Sequence, residues 1–256
     1  MNALPPAPPG RAAAVAARAA NLALGWVFPR YCVLCGSIAW PRPADGSSAR
    51  GCNGLPLCER CSGALEPLKG ERCRACGRSL YAERGICFAC KGAEHACDEI
   101  LPIFAYAGEA ASLLKAYKLT KRRSLAPFLA SIMEERIDAA WADWPIVPVP
   151  PRPEKIRRRE WDQVEAIAAE LERRGRRVER LLERRVDQQQ KRLDRSERKA
   201  NAAKAYGLKP GIEGSLPSRV LLIDDVLTTG ATLEACAAAL RSGGVGRVSA
   251  LVLAAD

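Results

Sequence analysis

The stretch VLLIDDVLTTGATLEACAAAL, from Val220 to Leu240, carries most of the information about how this chain folds. Its apolar beginning, Val220 to Ile223, is typical of a strand buried on both faces of a parallel sheet. Asp224 and Asp225 follow at the carboxyl end of that strand, where open α/β sheets bind their ligands. A Thr-Thr-Gly turn and a helix-like segment come next. The predicted order is therefore strand, loop and helix N-terminus.

The loop from Thr228 to Thr232 has the composition of an anion-binding turn. Gly230 permits a positive φ and a close approach of the backbone to a ligand. Successive backbone N–H groups and the following helix N-terminus favour an anion. Carboxylates are acceptors only, so Asp224 and Asp225 suit vicinal sugar hydroxyls rather than phosphate. The stretch predicts a ribose 5-phosphate ligand; the plainer alternative is a strand, a turn and a helix with a capping threonine.

Ten of the eleven cysteines lie between Cys32 and Cys97. Two Cys-x-x-Cys pairs complete a tetrahedral zinc site with four thiolates. The separations, 22 residues between the first two pairs and 10 between the last two, favour two structural zinc sites in series. A cross-braced arrangement, first pair with third and second with fourth, also satisfies the spacing. The four pairs are Cys32/Cys35, Cys58/Cys61, Cys73/Cys76 and Cys87/Cys90.

Other roles for the cysteines are less well supported. A disulfide framework needs an oxidising compartment and leaves an odd cysteine. A catalytic zinc keeps an open position and usually has His or carboxylate ligands. Cys52 is predicted to be a bystander, and His95 and Cys97 are alternative ligands of the second site. Cys236 is predicted to be a small core residue.

Strands and helices alternate after Cys97. EILPIFAY (Glu99 to Tyr106) and WPIVPVP (Trp144 to Pro150) are predicted strands, and residues 110–119 and 125–141 have helical spacing of apolar side chains, as does the stretch that begins at Trp161. This alternation predicts a parallel sheet with crossover helices.

A basic loop, Arg152 to Arg159, follows the second of these strands. In a parallel sheet this loop would come near the phosphate loop at the same edge. Arg157, Arg158 and Arg159 are therefore candidates to bind pyrophosphate or another anion.

The positive charge is concentrated in one interval. Arg152 to Lys209 contains 19 Lys or Arg against 11 Asp or Glu, which accounts for +8 of the net charge of +11. Such a concentration indicates a polyanionic partner, with ion-paired helix faces as the plainer alternative. Within this interval, Arg185 to Gly207 is poor in large apolar residues and is predicted to be a flexible surface segment.

The N-terminus favours neither secretion nor a membrane anchor. Arg18 interrupts its apolar part, whereas a secretory signal needs a basic start and an unbroken apolar core. No apolar run is long enough to span a membrane. We expect a loose arm, then a helix over Arg11 to Trp26, and a cytoplasmic protein.

The stretch from Asp224 to Thr232 resembles the phosphoribosyl-pyrophosphate (PRPP) signature of type I phosphoribosyltransferases. The resemblance implies that the acidic pair contacts the ribose hydroxyls, that Thr228 to Thr232 hold the 5-phosphate, and that magnesium accompanies bound PRPP. Several purine-salvage members have an acidic general base where this chain has Thr228, so no catalytic residue is assigned. The implied PRPP-binding residues are Asp224, Asp225, Val226, Leu227, Thr228, Thr229, Gly230, Ala231 and Thr232.

Cysteine pairs followed by such a domain resemble the ComF family. FPRYCVLC and DDVLTTGAT are similar to family motifs, and IVPVPPRPEKIRRREWDQ is similar to a family segment in which Arg159 and Gln163 match. Glu160, Trp161 and Asp162 replace the usual Gly, Phe and Asn. A later family element matches at Gln190, Leu193, Arg198 and Asn201.

The resemblance implies an α/β fold, with a type I phosphoribosyltransferase-like parallel sheet that has helices on both faces. A small Cys-rich zinc-ribbon module precedes it. The expected organisation is an N-terminal arm and helix over residues 1–28, a double zinc ribbon over 29–98 and the phosphoribosyltransferase-like domain over 99–256.

Two functions from different classes follow. The first is a ComF-like protein with a site for PRPP or another ribose phosphate, which supports DNA uptake and natural transformation. It would handle single-stranded DNA together with helicase-like and recombination-mediator competence proteins. The alternative is an active phosphoribosyltransferase that transfers ribose 5-phosphate from PRPP to a nitrogen nucleophile. A third outcome is a zinc-stabilised protein whose loop binds nothing tightly.

Overall fold

The computed structural model describes residues 30–39, 57–158, 160–185, 205–212, 214 and 216–256. The chain divides into two compact units, residues 1–64 and 65–256. The helix predicted over Arg11 to Trp26 lies outside the described residues. The boundaries predicted after residues 28 and 98 stay predictions. The last four of the paired cysteines, Cys73, Cys76, Cys87 and Cys90, belong to the same unit as the α/β sheet.

The first unit has short elements among its described residues. Strands β1 (Arg30–Tyr31) and β2 (Ile38–Ala39) pair antiparallel on either side of the first cysteine pair. Helix α1 (Glu59–Gly63) begins directly after Cys58 and carries the buried Cys61.

The second unit continues the numbering with six strands and five α-helices among its described residues. In chain order these are β3 (Glu99–Ala105), α2 (Gly108–Leu119), α3 (Ala126–Ala140), β4 (Ile146–Pro148), α4 (Pro153–Arg157), α5 (Gln163–Arg173), β5 (Leu182–Arg184), β6 (Tyr206–Leu208), β7 (Arg219–Leu227), α6 (Ala231–Ser242) and β8 (Arg247–Ala255).

Four of the strands form a parallel sheet in the order β3-β8-β7-β4. The carboxyl ends of β4 and β7 therefore lie side by side, as the sequence predicted for the segments that follow them. The two central strands are β7 and β8. Their continuous apolar runs are typical of strands that are buried on both faces of a parallel sheet.

Helices cover both faces of the sheet. Val220 and Leu222 of β7 are fully buried in one apolar cluster with α6. Leu221 and Ile223 are equally buried and point to the opposite face, because side chains alternate along a strand. Helices α3 and α5 pack on each other and against the sheet there. This arrangement is an α/β phosphoribosyltransferase-like fold accompanied by a Cys-rich module.

Some local details differ from the sequence prediction. Strand β7 extends to Leu227, so the acidic pair lies within the strand rather than after it. The predicted basic loop contains helix α4, because Pro153 occupies a position in the first turn that favours helix initiation.

The antiparallel pair β5 and β6 borders the segment predicted to be flexible. The C-terminal end of that segment, Tyr206 and Gly207, belongs to β6, because Tyr206 is buried together with Leu182 of β5 against the α6 side of the sheet. Residues 186–204, including the family-matching Gln190, Leu193, Arg198 and Asn201, lie outside the described part of the chain. Among the described residues, none of the helices combines the length and apolar character that crossing a membrane requires.

Candidate functional site

The acidic pair lies near the carboxyl end of β7. Asp225 is only 6% exposed, and Asp224 is partly buried. The Asp225 amide donates to Asp224 Oδ1 at 2.8 Å, and the Val226 amide donates to Asp225 Oδ1 at 2.8 Å. Because these bonds run to the chain's own amides, they fix the carboxylates while leaving other oxygen lone pairs available to a ligand.

Desolvation raises the pKa of Asp224 from 3.8 to about 7, and the neighbouring charge of Asp225 adds to the shift. Lys118 opposes it. A carboxylate with such a raised pKa is held in a site that lacks sufficient compensating charge. The site therefore favours a ligand that brings hydrogen-bond donors or positive charge to this position.

Asp225 contacts two side chains from other elements. Lys118 Nζ, at the end of α2, lies 3.1 Å from Asp225 Oδ2, and Gln163 Nε2, at the start of α5, donates to the same oxygen at 3.0 Å. Lys155 Nζ, from α4, donates to Gln163 Oε1 and to Asp162 Oδ2, both at 3.0 Å. Two helices thus contact this carboxylate directly, and a third is linked to it through Gln163.

Gln163 is held in place by its surroundings. Tyr117 donates its hydroxyl proton to the Gln163 carbonyl oxygen at 2.7 Å, and burial raises the pKa of Tyr117 well above its usual value, so the phenol stays a donor. The Tyr117 and Trp161 rings meet edge to face at 4.9 Å. Asp162 caps α5 by accepting from the Val164 and Glu165 amides. The acid at position 162 is therefore compatible with the local structure.

The phosphate loop, defined here as Thr228 to Thr232, connects β7 to α6. Thr228 and Thr229 are exposed, and Gly230 has φ +76°, a left-handed conformation that favours glycine. Helix α6 begins at Ala231, and its twelve residues present a helix N-terminus to the loop. Leu227, directly before the loop, is 5% exposed and anchors it to the core. The structure therefore contains the exposed loop and the helix N-terminus that the sequence predicted for this stretch.

The predicted arginines are placed less favourably. Arg157 lies 3.6 Å from Glu154, and Arg158 lies 3.7 Å from Glu160, with both arginines mostly exposed. Arg159 lies outside the described residues. Within the described ranges, no hydrogen bond or ion pair joins Arg157 or Arg158 to the acidic pair. The cations connected to that pair are instead Lys118, directly, and Lys155, through Gln163.

Sequence reasoning did not assign Lys118, Lys155 or Gln163 to the site. Gln163 was singled out by its match to a family motif, and Lys118 stood in a run of basic residues without distinction. The strand order offers one signal that could have pointed to Lys155 and Gln163. Helices α4 and α5, which carry them, follow β4, and β4 is the neighbour of β7 in the sheet. Contacts between helices that are distant in sequence were needed to identify the lysines.

The eight cysteines form two groups of four, in series. Cys32, Cys35, Cys58 and Cys61 make up the first site, and Cys73, Cys76, Cys87 and Cys90 make up the second; within each group all four sulfur atoms lie within 4.8 Å of one another. Tetrahedral zinc with Zn–S of about 2.3 Å separates its sulfurs by about 3.8 Å. The Cys35–Cys58 and Cys76–Cys87 sulfur separations are 3.5 and 3.8 Å. Both groups therefore fit structural zinc, and the cross-braced alternative is wrong.

The two sites repeat one local design. In each, the glycine after the second cysteine donates its amide to the first cysteine's carbonyl, from Gly36 at 2.9 Å and from Gly77 at 2.8 Å. Gly36 and Gly77 have φ values of +73° and +71°. The third cysteine then precedes a short helical turn, Glu59–Gly63 in one site and Phe88–Cys90 in the other. This local geometry, a Cys-x-x-Cys pair closed by a glycine, is called a knuckle below and occurs in both sites.

The remaining cysteines have other environments. Cys97 is buried, and desolvation raises the pKa of its thiol to about 12. Cys236, within α6, is fully buried in the core, as predicted. His95 contacts Glu234 and the Cys90 carbonyl rather than joining a cysteine group. Neither His95 nor Cys97 is needed as a ligand, and Cys52 lies outside the described residues.

Two comparisons show which known proteins this chain is similar to. Residues 23–91 match the family model of the double zinc ribbon domain. The chain is also similar to a competence protein, ComFC, of Streptococcus pneumoniae (strain ATCC BAA-255 / R6). The two are 27% identical over 183 residues, which cover 70% of this chain and 78% of that protein.

Proposed function

Starting from the assignment of this chain to the ComF family, we propose that it is a competence-type protein that binds PRPP or another ribose 5-phosphate. One observation carries the proposal: Asp224 and Asp225 lie near the carboxyl end of a central parallel strand, and that strand is followed by an exposed threonine-glycine loop and the N-terminus of α6. The carboxylates of Asp224 and Asp225 can accept hydrogen bonds from the ribose hydroxyls. The loop from Thr228 to Thr232, a few residues further on, can donate hydrogen bonds to the 5-phosphate of the same ligand.

Each group of the site has a role in this proposal. The phosphate loop donates backbone amides and threonine hydroxyls to the 5-phosphate, aided by the helix N-terminus. Asp224 and Asp225 accept hydrogen bonds from the ribose hydroxyls. When PRPP is bound, magnesium would neutralise the charge of its pyrophosphate. The acidic pair would hold the magnesium ion. Arg157, Arg158 and Arg159 stay candidates for the pyrophosphate.

Lys118 links ligand binding to a rearrangement. Its ammonium lies 3.1 Å from Asp225 Oδ2, yet 47% of its side chain is exposed. Ribose hydroxyls that bind Asp225 compete with this contact, and a lysine with that exposure is free to turn toward a pyrophosphate. Gln163 retains its hydrogen bond to the Tyr117 hydroxyl through its backbone, so its position survives the exchange.

Binding calorimetry with PRPP and magnesium tests the proposal. We expect the double variant Asp224→Ala/Asp225→Ala to lose measurable heat of binding, because the ribose loses both acceptors. Asp138→Ala is the matched control, since that aspartate is exposed, lies on α3 and forms an ion pair with Arg176 rather than a contact with the acidic pair. Equal PRPP affinity in the wild type and the double variant would refute the site.

The expected work on single-stranded DNA belongs to the same proposal. Support comes from the +8 charge between Arg152 and Lys209 and from the name of the pneumococcal relative. Helicase-like and recombination-mediator proteins are the proposed partners. The proposed compartment is the cytoplasm, where thiolates stay reduced and available to zinc.

Salt dependence of oligonucleotide binding tests the DNA proposal. Each phosphate contact releases counterions, so the affinity should fall steeply between about 50 and 200 mM salt. The measurement is fluorescence anisotropy of a labelled single strand. Arg157→Ala/Arg158→Ala should reduce the slope, with Asp138→Ala as a control for general surface changes. An affinity that does not change with salt would contradict electrostatic binding.

An active phosphoribosyltransferase is the second candidate, and the pKa of Asp224 near 7 favours it. A carboxylate that titrates near neutrality is suited to accept a proton from an attacking nitrogen. Transfer would form a bond from that nitrogen to ribose C1 and release pyrophosphate, with the nitrogen's proton passing to the base. Pyrophosphate release from PRPP in the presence of bases and amines is the test; binding without release favours the first function.

A further inference from the structure

We propose that the second tetra-cysteine site positions the phosphate loop, so that zinc at Cys73, Cys76, Cys87 and Cys90 controls the affinity for ribose phosphate. This inference rests on the proposed function. Its physical basis is a set of contacts within residues 65–256 that join the cysteine site to both ends of the loop. The residues that transmit the effect, Gly77 and Glu234, bind neither zinc nor phosphate themselves.

The first contact is at the beginning of the loop. Gly77 directly follows the zinc ligand Cys76, and a Cβ at Gly77 would lie only 3.2 Å from Leu227 Cδ2 and 2.9 Å from Pro102 Cδ. The knuckle backbone therefore packs against Leu227 at a distance that only glycine permits. Leu227 is the last residue of β7, so the knuckle supports the point where the loop leaves the sheet.

The second contact is at the end of the loop. Glu234, in the first turn of α6, accepts a hydrogen bond from the Ala96 amide at 2.8 Å, and its other oxygen lies 3.4 Å from His95 Nδ1. The opposite ring nitrogen of His95 lies 3.4 Å from the carbonyl oxygen of the zinc ligand Cys90. The Glu234 amide itself donates to the Gly230 carbonyl at 2.9 Å. A short chain of polar contacts thus runs from the cysteine site to the loop.

The same segment also holds the far end of α6. Arg241 donates to the Ala96 carbonyl at 3.1 Å and to Asp98 at 2.7 Å, and Asp98 accepts from the Val248 amide at 2.7 Å. Both ends of the helix that follows the phosphate loop are therefore tied to residues 95–98, which begin five residues after the last zinc ligand, Cys90. Displacement of this segment would tilt the helix as a whole.

The cysteine site has little apolar packing of its own to keep this geometry without metal. Its buried cluster consists of Cys73, Ala75 and Cys87, with Leu80 and Ile86 partly buried around them. A core of this size does not hold a fold by itself, so metal binding and folding are coupled. Zinc would therefore set the order of the ribbon, and through Gly77 and Glu234 the order of the loop.

The decisive variant is Glu234→Ala, measured in the full-length zinc-loaded protein. We expect ribose 5-phosphate affinity to fall about tenfold, within the range of coupling between linked sites. Hydrogen exchange at the first turn of α6 should become faster, while the zinc content stays at two per chain. Glu172→Ala is the matched control, because it also removes a glutamate that forms an ion pair. That pair joins Glu172 of α5 to Arg180 and does not involve α6. Unchanged affinity and unchanged exchange in Glu234→Ala would overturn the inference.

Zinc release gives an independent measurement, because coupling between two sites is reciprocal. A chromogenic chelator should remove the two zinc ions in separate phases, and ribose 5-phosphate should slow one phase severalfold. The other phase serves as an internal control. If ribose 5-phosphate leaves the rate of zinc release unchanged in both phases, the two sites are not coupled. If the wild type binds no ribose 5-phosphate, the proposed function fails, and the hydrogen-exchange comparison still decides whether Glu234 positions the helix.

Discussion

Asp224 shows most directly how a single side chain can be placed for binding at a cost in stability. It is partly buried beside a second carboxylate, and the polar contacts of Lys118 and Gln163 with the acidic pair are made to Asp225. The resulting pKa near 7 means that an ionised Asp224 is poorly compensated in the folded chain. Residues kept despite such a penalty are characteristic of functional sites.

This penalty predicts an unusual dependence of stability on pH. Because the folded-state pKa of Asp224 is raised from 3.8 to about 7, the folded protein binds the proton more tightly than the unfolded chain does. The contribution to the free energy of unfolding is therefore complete below pH 4 and is lost as the pH rises to 7. Asp224→Asn should remove this loss and stabilise the protein at pH 8, by at most about 4 kcal/mol.

Urea unfolding at pH 5 and pH 8 measures the effect. The difference in unfolding free energy between Asp224→Asn and wild type should be larger at pH 8. Asp138→Asn, at an aspartate whose side chain is 56% exposed, should show no such increase. Parallel pH profiles for wild type and Asp224→Asn would argue against a raised pKa.

The cysteine knuckles show how a repeated element acquires different roles from its surroundings. Gly36 and Gly77 occupy the same position, with φ values of +73° and +71°. A Cβ at Gly36 would meet nothing within 4 Å, whereas at Gly77 it would collide with Pro102 and Leu227. One knuckle therefore needs glycine for its backbone alone, and the other needs it also for packing on the sheet.

Alanine at these two glycines should separate backbone strain from steric conflict. Gly36→Ala should cost about 1–2 kcal/mol, the penalty for a side chain in the left-handed region. Gly77→Ala should cost more, because Pro102 belongs to a buried strand and has little room to move. Thermal unfolding of both variants with zinc present gives the comparison; equal shifts in Tm would show that the packing of Gly77 is unimportant.

Across the molecule, stability comes from two different sources. The α/β sheet has a continuous apolar core, in which Leu221, Leu222 and Leu251 are fully buried. The second cysteine site has only a small buried cluster of its own, so we expect thiolate–metal bonds to supply much of its stability. Removal of zinc should therefore affect the cysteine sites before it affects the sheet.

Metal analysis and chelation test this division. We expect two zinc ions per chain and a lower Tm after chelation, with the far-ultraviolet signal of the sheet and its helices largely retained at 25 °C. Re-addition of zinc should restore the Tm, whereas magnesium, which prefers oxygen ligands, should not. A zinc content near one, or an unchanged Tm after chelation, would contradict two structural sites.

Local patterns were enough to predict much of this protein. The apolar run of β7, the helical spacing in α3 and the Cys-x-x-Cys pairs depend on neighbours within a few residues, so they can be read from sequence alone. The turn from Thr228 to Gly230 and the helix that follows it were predictable for the same reason, and phosphate binding there stays a prediction. The serial grouping of the cysteines was favoured by short loop lengths, and the geometry of the sites then excluded the cross-braced alternative.

Other features depend on contacts between residues far apart in the sequence. Lys118 reaches Asp225 because α2 and β7 meet in space across more than a hundred residues, and the same holds for the bond between Ala96 and Glu234. No periodicity encodes such pairs, because they arise from the order of strands in the sheet. Sequence therefore predicted which groups could bind a ribose phosphate, whereas the folded chain determined which cations face the acidic pair and what holds the phosphate loop in place.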